Sequence, residues 1–206
     1  GEIKRLFFLL VNCGARPDDA LEVKLQKQTL TLLPIIIGVA AAVWGSVFFL
    51  LGKHISAAIP LSYSLISVAS LFYFSHSKSM KFLLVSQLIL VLLLPFLLMW
   101  SLGGFAAGSY VMIWAFYAPL AAMAYSKKHS LIWFALFILL TLASSLIDDT
   151  LKDSVTRLPD LAIHIFNVLN VSAGFGGVFF IMSNYINEKD SMTEHLEVSL
   201  NAQNKL

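Results

Sequence analysis

The chain has 206 residues, 58% of them hydrophobic and only 13% charged, with a formal net charge of +2 and a mean hydropathy of +0.81. A soluble domain carries about 25% charged residues, so this chain has too little charge to cover a water-facing surface, and an ordinary soluble domain is excluded. Uncharged apolar runs of 18 residues or more mark membrane-spanning helices, and the expected class is an all-α membrane protein.

Residues 1–27 come first, a cytoplasmic amphipathic or interfacial segment. Ile3, Leu6, Phe7, Leu10 and Val11 fall at i, i+3, i+4, i+7 and i+8, the stripe of an amphipathic helix. The stripe fits a helix lying in the cytoplasmic leaflet, and equally a helix tucked against the bundle. The apolar run after Lys4-Arg5 is too short for a secretory signal, and no small-residue cleavage site follows it. Pro17 ends the helix, and Asp18 or Asp19 is placed to cap the next. Cys13 is the only cysteine, so neither a disulfide framework nor a cysteine metal cluster is expected.

Residues 28–187 form the membrane domain. Lys27 and Lys53 bracket span one (Gln28–Gly52), and His54 and His76 bracket span two (Ile55–Ser75). Lys81 and Lys127 then bracket about 45 residues without a charge. As one helix these would be about twice as long as the ~30 Å hydrocarbon core, so the chain must turn back. Gly103, Gly104 and Gly108 place the hairpin at Ser101–Ser109. Span three is then Phe82–Trp100, span four Ser109–Tyr125, span five Leu131–Ile147 and span six Leu161–Ile186, with an acidic loop at Asp148–Asp160. A bundle of six transmembrane helices is expected.

Lys and Arg counts orient it. Lys4, Arg5, Arg16, Lys24, Lys27, Lys78, Lys81, Lys127, Lys128, Lys189 and Lys205 fall on one side, and only Lys53, Lys152 and Arg157 on the other. The bias puts both termini in the cytoplasm and the hairpin outside.

The spans carry no Asp, Glu, Lys or Arg, which weighs against proton relays and ion paths. Their polar residues are few. In span six, His164, Asn167 and Asn170 recur every third residue, followed by Gly174 and Gly177. The stripe fits a ligand-sensing face, with Trp100 as an added ligand candidate; helix–helix packing, through which Gly174 and Gly177 would also support a dimer, is the preferred reading. Span two carries Ser62, Tyr63, Ser64, Ser67 and Ser70, where serines commonly bond to their own helix. Trp44, Trp100, Trp114 and Trp133 suit interface anchoring or packing, and Pro34, Pro60, Pro95 and Pro119 suit kinks or span starts. No phosphate loop, paired intramembrane carboxylates or metal-ligand spacing is present, so catalytic residues, a metal site, a cofactor and a nucleic-acid partner are not expected.

Residues 188–206 turn polar without Pro or Gly, so span six can continue as a cytoplasmic signalling helix. Met192, Leu196, Ser199, Gln203 and Leu206 follow 4-3-4-3 spacing, too short for a firm coiled coil. The Gly1 start and the uncapped end read as cuts in a longer protein.

The runs "RPDDALEVKLQKQTL", "WGSVFFLLGK", "IPLSYSLIS" and above all "LLLPFLLMWSLGGFAAGSYVMIWAFYAPLAAMAY" resemble the six-helix membrane module ahead of the catalytic domain in bacterial class III adenylate/guanylate cyclases and some sensor histidine kinases. The resemblance covers about Arg16–Glu188. It implies a homodimeric receptor or anchor in the bacterial inner membrane, whose partners are the bilayer, a second copy and a cytoplasmic output domain of the same polypeptide. The cyclase's metal-binding aspartates are absent, and His195 in "TEHLE" does not match the kinase's phospho-accepting motif. A cyclase output is the first expectation; a kinase membrane domain and a free-standing small carrier are the alternatives.

Overall fold

The computed structural model describes residues 14, 19, 21–123, 127–155 and 157–203. The candidate amphipathic helix at residues 3–11, Cys13 and Asp18 lie outside them. Six α-helices and one 3₁₀ helix follow in order: α1 (Leu21–Leu50), α2 (His54–Ser77), α3 (Met80–Ser101), the 3₁₀ helix (Val111–Phe116), α4 (Tyr117–Met123), α5 (Lys127–Ser154) and α6 (Asp160–Gln203). No strand occurs among the described residues.

Five helical stretches are long and apolar enough to cross a membrane: Leu30–Leu50, His54–Ser77, Met80–Ser101, Lys127–Lys152 and Asp160–Phe180. The way they pack agrees. Along α2 the buried side is Ser56, Ala57, Pro60, Tyr63, Ser67, Ser70 and Phe74, while Ile55, Leu65, Ile66, Val68 and Phe72 face outward. Polar groups inside and large apolar groups outside is the reverse of a soluble helix, and it is stable only where the surroundings are hydrocarbon. The chain is a multi-pass membrane protein.

The predicted fourth span has a different form. Val111–Met123 is apolar but short, and its first half is a 3₁₀ helix. Side-chain bonds nevertheless fix its course. Phe105 N–H donates to Asp148 near the C-terminal end of α5, and the Pro119 carbonyl accepts from Ser130 Oγ near its start. Between those points α5 rises about 27 Å, so the return segment runs antiparallel to α5 over most of its length. A 3₁₀ helix rises about 2.0 Å per residue, which lets few residues cover that distance.

α3 is the centre of the bundle, with close backbone neighbours in α1, α2, the 3₁₀ helix, α4 and α5. Phe96 and Met99 of α3 are fully buried, and Phe96 meets Phe137 of α5 at 5.8 Å between ring centroids. α6 is the outlier: among the described helices it comes within close backbone range of the 3₁₀ helix alone. Its Phe166 reaches α1 by side chain, 5.7 Å from Trp44 and 5.1 Å from Phe48 between centroids.

Two boundaries differ from the sequence expectation. α1 begins at Leu21, ahead of the expected start at Gln28. Asp19, just ahead of that helix, pairs through both carboxylate oxygens with Lys27, at 2.9 and 2.7 Å. The acidic stretch from Asp148 is largely helix rather than loop, because α5 runs on to Ser154; Lys152 pairs with Asp148 and Asp149 one turn earlier, at 2.8 and 2.9 Å, and such i,i+3 and i,i+4 pairs prolong a helix. At the opposite end of the bundle, Gly14 lies against the ring of Phe74, so the N-terminal segment touches the bundle there.

Candidate functional site: the clasp between the hairpin and the last helix

The hairpin after α3 is built on its glycines. Gly103 and Gly104 adopt φ of +99° and +97°, open to glycine without strain. A Cβ on Gly104 would also collide with the Asp148 carboxylate. Gly108 is required for a different reason: a Cβ there would lie 2.7 Å from the Gly104 carbonyl oxygen and 3.0 Å from Met99 Cα. The hairpin folds down onto the end of its own helix.

Hydrogen bonds tie this turn to its neighbours. Ser101 Oγ donates to Ser56 Oγ of α2 (2.9 Å), Trp100 Nε1 to Ser144 Oγ of α5 (2.8 Å), and Phe105 N to Asp148 Oδ1 (2.9 Å). α2, α3 and α5 thus form a rigid seat for the hairpin.

From that seat the chain reaches α6. In a 3₁₀ helix, side chains three apart eclipse, so Trp114 and Tyr117 project in one row and stack with centroids 5.7 Å apart. Trp114 Nε1 donates to Asn170 Oδ1 (3.0 Å), and Tyr117 Oη donates to the Gly174 carbonyl (3.0 Å). Asn170 Nδ2 donates back to the Ser109 carbonyl (2.9 Å), and Ser109 Oγ to the Ile163 carbonyl (3.2 Å). Gly174 and Gly177 make room for this row: a Cβ on Gly174 would strike Ile113, and one on Gly177 would strike the Tyr117 hydroxyl. Asn170, Gly174 and Gly177 are therefore the receiving face of a clasp within one chain.

The other members of the expected stripe part from it. Three-residue spacing falls short of a helical turn by about 60° at each step, so His164 stands about 120° round the helix from Asn170. It is exposed, beside an open, shallow apolar crevice lined with Ile165, Val168 and Leu169. Asn167 lies between, half-buried, with its Oδ1 enclosed and without a partner. Trp100 belongs to the α5 contact, so the four ligand candidates do not converge on one pocket.

A second polar point, absent from the sequence expectation, lies between α2 and α3. Gln87 of α3 is 2% exposed; its Oε1 accepts from Tyr63 Oη (2.9 Å) and Ser67 Oγ (3.4 Å) of α2, and its Nε2 has no partner. Ser64 Oγ reaches the Pro60 carbonyl of its own helix (3.3 Å), as expected, and also crosses to the Gly38 carbonyl of α1 (2.7 Å). An uncharged amide draws no notice in a search for ionisable groups, yet in hydrocarbon it is a strong organiser of helix contacts.

No group of three or more His, Cys, Asp or Glu suited to a metal occurs among the described residues. What the clasp does chemically is hold: it fastens α6 to a seated hairpin through directional bonds. No family model matches this chain, and searches of curated proteins and of solved structures give no match either.

Proposed function

We propose that this chain is the membrane-embedded sensor or anchor part of a homodimeric signalling protein, and that α6 carries a conformational change to a cytoplasmic output domain. The resemblance drawn from the sequence makes a class III nucleotide cyclase the first choice of output. In this reading the return segment is the sixth crossing, both termini are cytoplasmic and the hairpin faces outward. A second copy of the chain packs beside the first.

One observation carries the reading. α6 is a single helix from Asp160 to Gln203, 44 residues, or about 66 Å. Its apolar part ends near Phe180, so the rest extends well past a ~30 Å hydrocarbon core. A continuous rod held at one end by the clasp transmits rotation or translation that a flexible joint would absorb.

The test is Asn187→Pro in the full-length protein with its output domain attached. Proline removes a backbone hydrogen bond and clashes with the preceding turn, at about 3 kcal/mol or more, so output activity should no longer follow the state of the membrane part. A carrier would tolerate the change, because its tail would be only a tether. Equal basal and stimulated activities in mutant and wild type, at matched expression in the same membranes, would rule α6 out as the transmitting element. Orientation is checked separately by labelling single cysteines at Ala106 and Asp149, both exposed; reagents confined to the outside should reach both.

A further inference from the structure

Ser109 and Tyr110 are consecutive non-glycine residues with left-handed backbone, at φ 54° and 52°. A Cβ disfavours that region, and such residues usually visit it singly. Conformations of this kind persist only where the surroundings enforce them. Here the enforcement comes from two directions. On the seated side, Tyr110 N donates to the Phe105 carbonyl (3.0 Å) and Ser109 N to the Ala106 carbonyl (3.1 Å), while Phe105 is itself held by Asp148. On the other side every side-chain bond comes from or goes to α6: Ser109 Oγ to Ile163, and Asn170 to the Ser109 carbonyl. Tyr110 also opens the 3₁₀ helix, with no side-chain cap of its own. Its first turn depends on the joint being held.

We propose that Ser109–Tyr110 is a sprung joint, kept in its left-handed form by Asn170 and released when α6 shifts far enough to break Asn170's bonds. Release lets the joint relax toward ordinary backbone angles and loosens the start of the 3₁₀ helix. A movement of α6 thereby becomes a rearrangement of the hairpin. Coupling is reciprocal, so an event that distorts the hairpin biases α6 in turn. The inference rests on the proposed role of α6 as the moving element, and it names the part of the hairpin that has two states.

The test is amide hydrogen exchange over residues 105–117 of this chain in lipid nanodiscs. Tyr110→Asn keeps a Cβ but tolerates the left-handed region, so it should favour the held state and slow exchange there by about threefold. Asn170→Leu removes the holding bonds and should accelerate it by about tenfold. Ser109→Ala, which deletes only the bond to Ile163, should move exchange in the same direction as Asn170→Leu by a smaller factor, and it serves if the leucine variant does not fold. The joint is supported by opposite shifts in the asparagine and clasp variants. It is overturned if both shift exchange the same way, or if neither shifts it. Output of the full-length protein, measured in parallel, bears only on the signalling role: opposite exchange shifts with unchanged output would leave the joint standing and remove α6 as transmitter.

Discussion

α3 and α6 are both apolar helices long enough to cross a membrane, yet 44% of the apolar window of α3 is buried inside the chain against 17% for α6. α3 is enclosed by five neighbours and fixed by shape: Phe96, Met99 and Leu83 are sealed in the interior. α6 is attached along one row, by Asn170, Gly174 and Gly177, with Phe166 reaching across to α1. Its Phe175, Phe179 and Phe180 point outward. Close packing resists any displacement, whereas a row of directional bonds can be exchanged as a set. The difference separates an enclosed helix from one held along a single row, and it is the ground on which α6 is proposed as the moving element.

The largest effect expected from breaking this comparison is at the centre of α3. Phe96→Ala should lower stability by about 3 kcal/mol or more, through lost contacts and a cavity. Phe179→Ala on α6 should change it by less than about 0.5 kcal/mol. Thermal or denaturant midpoints in nanodiscs give both values, and equal losses would mean that α6 is packed as tightly as α3.

An intermediate effect separates two adjacent glycines of α6. Gly177→Leu must displace the Tyr117 hydroxyl, and overpacking of this kind costs about 1–3 kcal/mol. A Cβ at Gly176 would meet no atom within 4 Å, so Gly176→Leu should leave the single chain intact. If that open side of α6 meets a second copy, the Gly176 change lowers the dimer fraction in nanodiscs without altering the clasp. An unchanged dimer fraction would place the interface on another helix. Gly177→Leu cannot make this distinction, since it disturbs the clasp first.

The five long helices were legible in the sequence because charges bracket uncharged runs. Where helices end was less so, for physical reasons. Asp148 looked like a boundary, but Lys152 neutralises it within the helix. A 3₁₀ helix and an α-helix have similar hydropathy, so the shortness of the return segment left no trace in composition. Gly103 and Gly104 were identified for their backbone freedom and do use it; Gly108 was identified for the same reason and is instead a point of close approach. The polar stripe of α6 held two kinds of position, because a three-residue repeat drifts round a helix: Asn170 is in the clasp, and His164 faces away from it. Gln87 lay within reach of a rule that treats any buried amide as an organiser of neighbouring helices, and Ser144 became visible only once Trp100 was placed beside it.

The smallest expected effect concerns the seated end of the hairpin and asks what holds it there. Asp148 makes two kinds of contact. Its Oδ1 accepts from Phe105 N–H at the half-buried turn beside Gly104, and its Oδ2 pairs with Lys152 at the exposed edge. Exposed ion pairs contribute little and are screened by salt, whereas a backbone donor left unpaired beneath a turn loses its only partner. Asp148→Asn keeps a carbonyl oxygen for Phe105 and discards the charge, so exchange in the hairpin should stay close to wild type. Asp148→Ala removes the acceptor and should loosen residues 103–106 by no more than about 1 kcal/mol, leaving the Asn170 end of the clasp in place. Hydrogen exchange of the two variants, at low and at high salt, reads the difference directly. If asparagine were as damaging as alanine, and high salt reproduced the effect in the wild type, the charge on Asp148 and not its bond to Phe105 would be what seats the hairpin. The contrast between a rigid seat and a releasable clasp would then have to be redrawn, with both ends of the hairpin held by contacts that the surroundings can weaken.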